Sequence, residues 1–421
     1  MRPTIGTGLG VALAVLAGPG GAIADELTDG DVGLDVFQGT AIGSVRVVGM
    51  GGAATALAEG SSGTLANPAA AAIRSTTSTD WFDWDVHLDG VRGRSGGDLD
   101  NDGQRADAGM EFGTVGLVLN FGKTGIGLST TTSSATIDDG AGGTLEASAA
   151  DVRVAYARQE LADALVVGGG LRWTVFDFVD HSSDEPLTRQ HVGLEAGASW
   201  QPRAKSVRVG AAIGVPLWVE EATACTIATC GDFILPARLE VPWQASVGVA
   251  YRLAPTAWNQ WIASKFRDER ALTLALETVI TGAADDAIGI GALARQDDLR
   301  AGGHVTVGVR LGAEHEVLPG RLRLRAGGYW EPGRVDGVGG RDPRHVRPRG
   351  GGAELPLLRP APGAGVGHRR RGARVHQRRL VGRLLALSRS SRPHPRASGF
   401  PAPPATDGHH FPRPLPAPRR Q

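Results

Sequence analysis

Between residues 110 and 340 the chain repeats one pattern, and that pattern limits the folds open to it. In LEVPWQASVGVAY, Val241, Trp243, Ala245, Val247, Val249 and Tyr251 alternate with Pro242, Gln244, Ser246, Gly248 and Ala250. A period of two puts alternate side chains on opposite faces of a strand. The pattern returns over 115–121, 192–200, 207–213, 272–276, 305–311 and 322–326, with turns predicted at 122–124, 202–205 and 318–321. One face of each row is aliphatic or aromatic, and the other is mostly Gly, Ser, Thr, Arg or Glu. The stretch 258–270 reads either as a short amphipathic helix or as a surface loop.

Two architectures use such strands. A soluble sandwich buries the apolar faces against a second sheet. A transmembrane barrel turns them towards lipid and joins strands of ~10 residues by alternating tight turns and long polar loops. The second face here is rich in glycine and charge, and Trp200, Trp243, Tyr251 and Trp330 fall near strand ends, where aromatic girdles lie. The expected fold is therefore all-β, a transmembrane antiparallel barrel, which satisfies every backbone polar group in lipid by pairing strands. The 62 glycines are about twice the usual share.

The chain opens with an export signal: Arg2, an apolar run over 5–17, and Ala22-Ile23-Ala24 before Asp25. Residues 1–24 are expected to be a signal peptide, and no later run of ~20 apolar residues could form a membrane helix. The formal net charge of zero hides an asymmetry, because residues 341–421 hold 18 of the 44 basic residues and only three acids.

After the signal comes a run unlike the rest, RVVGMGGAATALAEGSSGTLANPAAAA. Small residues suit a segment that must fit a crowded lumen. Asn67-Pro68 is expected to end the preceding helical turn, since proline drives the residue before it out of the helical region. A flexible linker between signal and barrel is the bland alternative. This run resembles the N-terminal region of the FadL-type outer-membrane transporters, with Gly49, Gly51, Gly52, Thr55-Ala56-Leu57-Ala58 and Asn67-Pro68-Ala69 carrying the likeness. The stretch RLGAEHEVLPGRLRLRAGGYWEP resembles that family's late hairpin.

The resemblance implies about 14 strands and an N-terminal plug, with a helical portion at Thr55–Ala58. It implies uptake of long-chain fatty acids or hydrocarbons through plug rearrangement and a lateral opening, in the outer membrane of a Gram-negative bacterium. The expected domains are a plug over 25–75 and a barrel over 76–340. The expected partners are a hydrophobic small molecule, outer-membrane lipid and the barrel-assembly machinery, with no nucleic acid. A barrel with a structural or secretion-assembly role and no transported ligand is the alternative.

Two further features invite chemistry. Cys225 and Cys230 in ACTIATCGD read as a small loop disulfide in an oxidising compartment. Asp98, Asp100 and Asp102, followed by Gly103, match the start of a calcium loop, but the twelfth position is Gly109 where a bidentate Glu belongs. A solvated loop is the other reading, and no other cofactor is expected. The histidines show no ligand spacing, and no catalytic motif such as G-x-S-x-G or H-E-x-x-H occurs, so no enzyme is expected.

From Arg341 alternation stops and Arg, Pro, Gly, His and Leu dominate. A basic arm or plain disorder would account for this. A third reading is a reading frame displaced by one base in a GC-rich gene. With permitted codons, RHVRPRGG then reads GTFGLEV, and RVHQRRLVGRLLALS reads EYTNVASSVGFWR followed by a stop. On that reading the last strands of the barrel are missing from the chain as written. Sequencing the gene decides it, and scattered stops in the displaced frame would exclude it.

Overall fold

The computed structural model describes residues 25–335, apart from 37–41, 76–77, 79, 95–108, 139–142, 162–163, 181–186, 220–232, 263–266, 268 and 321. Residues 1–24, expected to be a signal peptide, the aspartates of the expected calcium loop, both cysteines and the basic stretch from Arg341 lie outside the described residues.

The alternating rows form one antiparallel sheet of eleven strands. In chain order, with β1 still to come, these are β2 (Phe82–Arg94), β3 (Gly109–Phe121), β4 (Thr124–Asp138), β5 (Thr144–Glu160), β6 (Leu165–Asp180) and β7 (Leu187–Trp200). They continue with β8 (Val207–Val219), β10 (Gln244–Leu253), β11 (Ala271–Thr281), β14 (Thr306–Leu318) and β15 (Leu322–Trp330). Each strand pairs with the next member of this series.

The tightest connections lie at one end, the turn end, although the long connection 254–270 between β10 and β11 lies there too. There Gly122-Lys123 joins β3 to β4 with Gly122 at φ +58°, and Pro319-Gly320 leads into β15 with Gly320 at φ +64°. The connections from β8 to β10 and from β11 to β14 are long and lie at the other end, the loop end. The stretch 254–262 is irregular, and no helix forms there among the described residues.

The pleat sorts the side chains as the period demands. Val86, Leu88, Val115, Leu117, Ile126, Leu128, Val154, Leu171, Leu194, Ile213, Val247, Leu274, Leu311 and Leu324 are all exposed. No second sheet covers them among the described residues, which removes the sandwich. Trp200, Trp243, Tyr251 and Trp330 stand exposed near strand ends. Trp81, Phe82 and Phe121 cluster at the turn end, with ring centroids 5.3–5.8 Å apart. Val241 departs from the expected outward row. The β10 ladder starts at Gln244, so Val241 lies before the strand and packs into an apolar cluster.

The other face of the sheet surrounds residues 42–75, so the sheet is curled into a barrel about its own N-terminal segment. Helix α1 (Val45–Gly49) starts at Ser44, whose Oγ accepts from Val47 N at 3.4 Å. Helix α2 (Gly60–Gly63) follows, then a 3-10 turn over Pro68–Ala72. Helix α1 touches both edge strands of the sheet: Val45 N donates to Asp89 of β2 at 3.2 Å, and Arg46 pairs with Glu314 of β14 at 3.1 Å beside Arg325 of β15. The barrel is not closed among the described residues, because β2 and β15 are not paired with each other.

A second, four-stranded sheet sits at the loop end. Strand β1 (Gly33–Asp35) lies parallel to β9 (Arg238–Glu240) and β12 (Ala287–Gly289), and β13 (Arg300–Ala301) lies antiparallel to β12. With the helix Ile290–Arg295 it packs Leu34, Ile288 and Leu293 against Phe112, Ile137, Leu145, Phe176 and Phe178 of the wall. No described helix is long and apolar enough to cross a membrane.

Candidate functional site

The inner segment is held by two means, close packing and charge. Its packing depends on glycines in the wall. A Cβ on Gly125 of β4 would collide with the carbonyl of Ala71, and one on Gly327 of β15 with the backbone of Met50 and Gly51. Gly51 itself turns at φ +61° with its α-carbon against the Gly327-Gly328 backbone, so it needs both the missing side chain and the left-handed conformation. Gly49 packs on the stem of Arg325, and Gly52 N donates to Val47 O at 2.9 Å as α1 ends.

Asn67 is fully buried and does more than end a helix. Its Oδ1 accepts from Ala69 N at 3.0 Å, capping the 3-10 turn that begins at Pro68. Its amide nitrogen lies within 3.1–3.3 Å of Thr55 O, Ala198 O of β7 and Ala211 O of β8. Asn67 thus starts the next turn, whereas α2 has already ended at Gly63. Ala69 and its neighbours to Ala72 are buried against β3, β5 and β6.

The helical portion expected at Thr55–Ala58 is a turn instead. The carboxylate of Glu277 on β11 accepts from Ala54 N at 2.8 Å and Thr55 N at 2.7 Å, which draws these amides out of any helical ladder.

Charged groups on the inward face complete the anchoring. Arg325 donates to Glu314 at 2.6 Å with both buried. Arg208 pairs with Glu59 at 2.9 Å and lies 4.1 Å over the ring of Trp258. Arg153 donates to Leu65 O at 2.7 Å, and Ser61 donates through both N and Oγ to Asp85 at 2.7 Å.

Between the inner segment and the wall lies a cavity of about 280 Å³. Val36, Ile42, Val47, Phe176, Val241 and Val279 line its apolar part, and Asp151, Arg153, Arg172, His191, Glu195, Glu277 and Arg310 its charged part. The ring of His191 stacks on Phe176, with centroids 5.8 Å apart and planes 12° apart. Asn67 and Pro68 form part of the boundary.

The cavity also reaches Ile213, Gly214 and Val215 of β8, and Ile213 and Val215 are exposed on the outside of the barrel. Among the described residues the wall is incomplete here. The ladder between β8 and β10 stops at Gly214↔Gln244, and β8 runs on to Val219 without a described partner on that side. On its other side β8 slips register against β7 at Val192/Gly193. A Cβ on Gly214 would meet nothing within 4 Å.

Sequence reading foresaw an inward face of small and charged residues but not which charges meet. The usable signal was local: Asp151, Arg153, Arg172, Glu195, Glu277 and Arg310 each place a charge at an inward position of a strand.

Among solved structures, the chain is similar to a FadL homologue of Pseudomonas aeruginosa at 14% identity and TM-score 0.43, covering 70% of this chain and 80% of that one. It is similar to the CymD monoaromatic hydrocarbon channel at 14% identity and TM-score 0.41, covering 70% and 85%. A BamA from Haemophilus ducreyi lacking POTRA domains 1-3 follows at 10% identity and TM-score 0.27, covering 60% and 57%. No protein-family model matches the sequence, and the search of curated proteins returns no match.

Proposed function

We propose that the chain is an outer-membrane channel for hydrophobic small molecules, with residues 42–75 as its plug and Gly49, Gly51, Gly52, Asn67, Pro68 and Ala69 as the residues that seat it. One observation carries the reading: a cavity bounded by the inner segment and the wall runs to the edge of β8 that has no described partner, where the barrel's outward apolar side chains begin. A channel for polar solutes needs a wet bore from end to end. Here the bore is filled by backbone, and the cavity opens sideways beside apolar residues.

A molecule entering from the loop end has to displace the aliphatic packing of the small sheet there, and then meets the apolar part of the cavity. The plug blocks the straight path to the turn end, because alanine and glycine backbone fills that section. The notch between β8 and β10 offers an exit into the membrane that leaves the plug in place. No step in this path requires catalysis.

Gly214→Trp tests it. Gly214 faces the lumen between the outward Ile213 and Val215, so an indole there should obstruct the cavity where it meets the notch, and uptake of a labelled hydrocarbon by cells expressing the variant should fall at least tenfold, with protein level and heat-modifiable mobility unchanged. Unaltered uptake would exclude the notch as the route. No uptake by the unaltered chain, properly assembled, would favour a barrel with a structural role.

A further inference from the structure

The charged part of the cavity has a feature that bears on which molecules it accepts, given the channel reading above. Each of its guanidinium groups already faces a carboxylate. Arg172 donates to Asp151 at 2.8 Å, Arg153 lies 3.3 Å from Glu195, and Arg310 lies 3.6 Å from Glu277. All six side chains are at least largely buried. Thr174 also donates to Asp151.

We infer that Asp151, Glu195 and Glu277 are specificity-determining residues that make this cavity select a neutral, single-ring apolar molecule and reject its carboxylate counterpart. A buried anion is tolerated only when a cation pairs with it, and breaking an existing buried pair to free one leaves a second charge uncompensated. An entering carboxylate would have to do that here. It would displace Glu195 or Asp151 from its arginine, or displace Glu277 from Arg310 and from the Ala54 and Thr55 amides.

Size and lining support the same class. A cavity of about 280 Å³ stands near the lower end of the range for ligand pockets, ~300–1,000 Å³. Phe176 and His191 add aromatic surface to its lining.

The test compares two probes of nearly equal size, labelled toluene and labelled benzoate, by equilibrium dialysis at neutral pH against the full chain folded in detergent. The unaltered protein should bind toluene at least tenfold more tightly than benzoate. Glu195→Gln leaves Arg153 without its counter-charge and should move the benzoate-to-toluene affinity ratio about tenfold towards benzoate. Asp151→Asn should act the same way through Arg172, and it serves as the second variant should the first misfold. Benzoate bound as tightly as toluene by the unaltered chain overturns the inference and leaves the channel reading standing. A ratio unmoved in both folded variants overturns the assignment of these carboxylates. Binding of neither probe defeats the channel reading, and this inference with it.

Discussion

The two ends of the lumen are closed by opposite kinds of packing. Towards the turn end the wall meets the inner segment backbone to backbone, through Gly125, Gly168 and Gly210 against Ala71, Ala69 and Thr55. At the loop end Leu34, Ile288 and Leu293 meet Phe112, Ile137 and Phe178 side chain to side chain. Backbone contact cannot repack, because there is no rotamer to change. Aliphatic contact can, since cores accept swaps of similar volume. The first end is built to hold a fixed shape, and the second to yield.

The sharpest way to break this contrast is Gly125→Val. No position of the new side chain avoids Ala71, so the folded, protease-resistant form should be lost, whereas Gly90→Val, with nothing within 4 Å, should behave as the parent in the same gel assay. Next is Glu277→Ala, which strips the acceptor from two buried amides and the partner from Arg310. Breaking a buried pair costs about 3–5 kcal/mol, and hydrogen exchange at Ala54 and Thr55 should accelerate accordingly.

At the loop end, Ile288→Ala should cost about 2–5 kcal/mol as a buried truncation. Its signature should be faster exchange confined to β1 and β12. Asn67→Ala removes a cap and should cost about 0.5–2 kcal/mol, seen as earlier proteolysis near Pro68. Ile288→Val should cost least, about 0.5–1.5 kcal/mol. A loop end that proved as intolerant of this swap as the turn end is of Gly125→Val would erase the distinction.

What could be read from the sequence was what is local. Alternation marks a strand because its cause, the pleat, acts over two residues, so the outward rows of β3, β7, β8, β11, β14 and β15 were legible. Val241 was misjudged because the chain leaves the wall just before Gln244, an event set by the distant pairing of β9 with β1. The helix at Thr55–Ala58 was implied by the family resemblance alone, and nothing near those residues reveals Glu277, more than 200 residues away. The cavity's ion pairs were illegible for the same reason. Arg172 meets Asp151 only through the register of β5 on β6.

One consequence follows from helix α1 lying between the two edges of the sheet. Strand β15 leaves a tight turn and climbs to the loop end, and β2 also starts at the turn end and climbs. Two rails that rise in the same sense cannot be zipped together antiparallel. An antiparallel closure would take an odd number of further rungs, one or three, and so give the even count of twelve or fourteen staves usual in bacterial outer-membrane barrels.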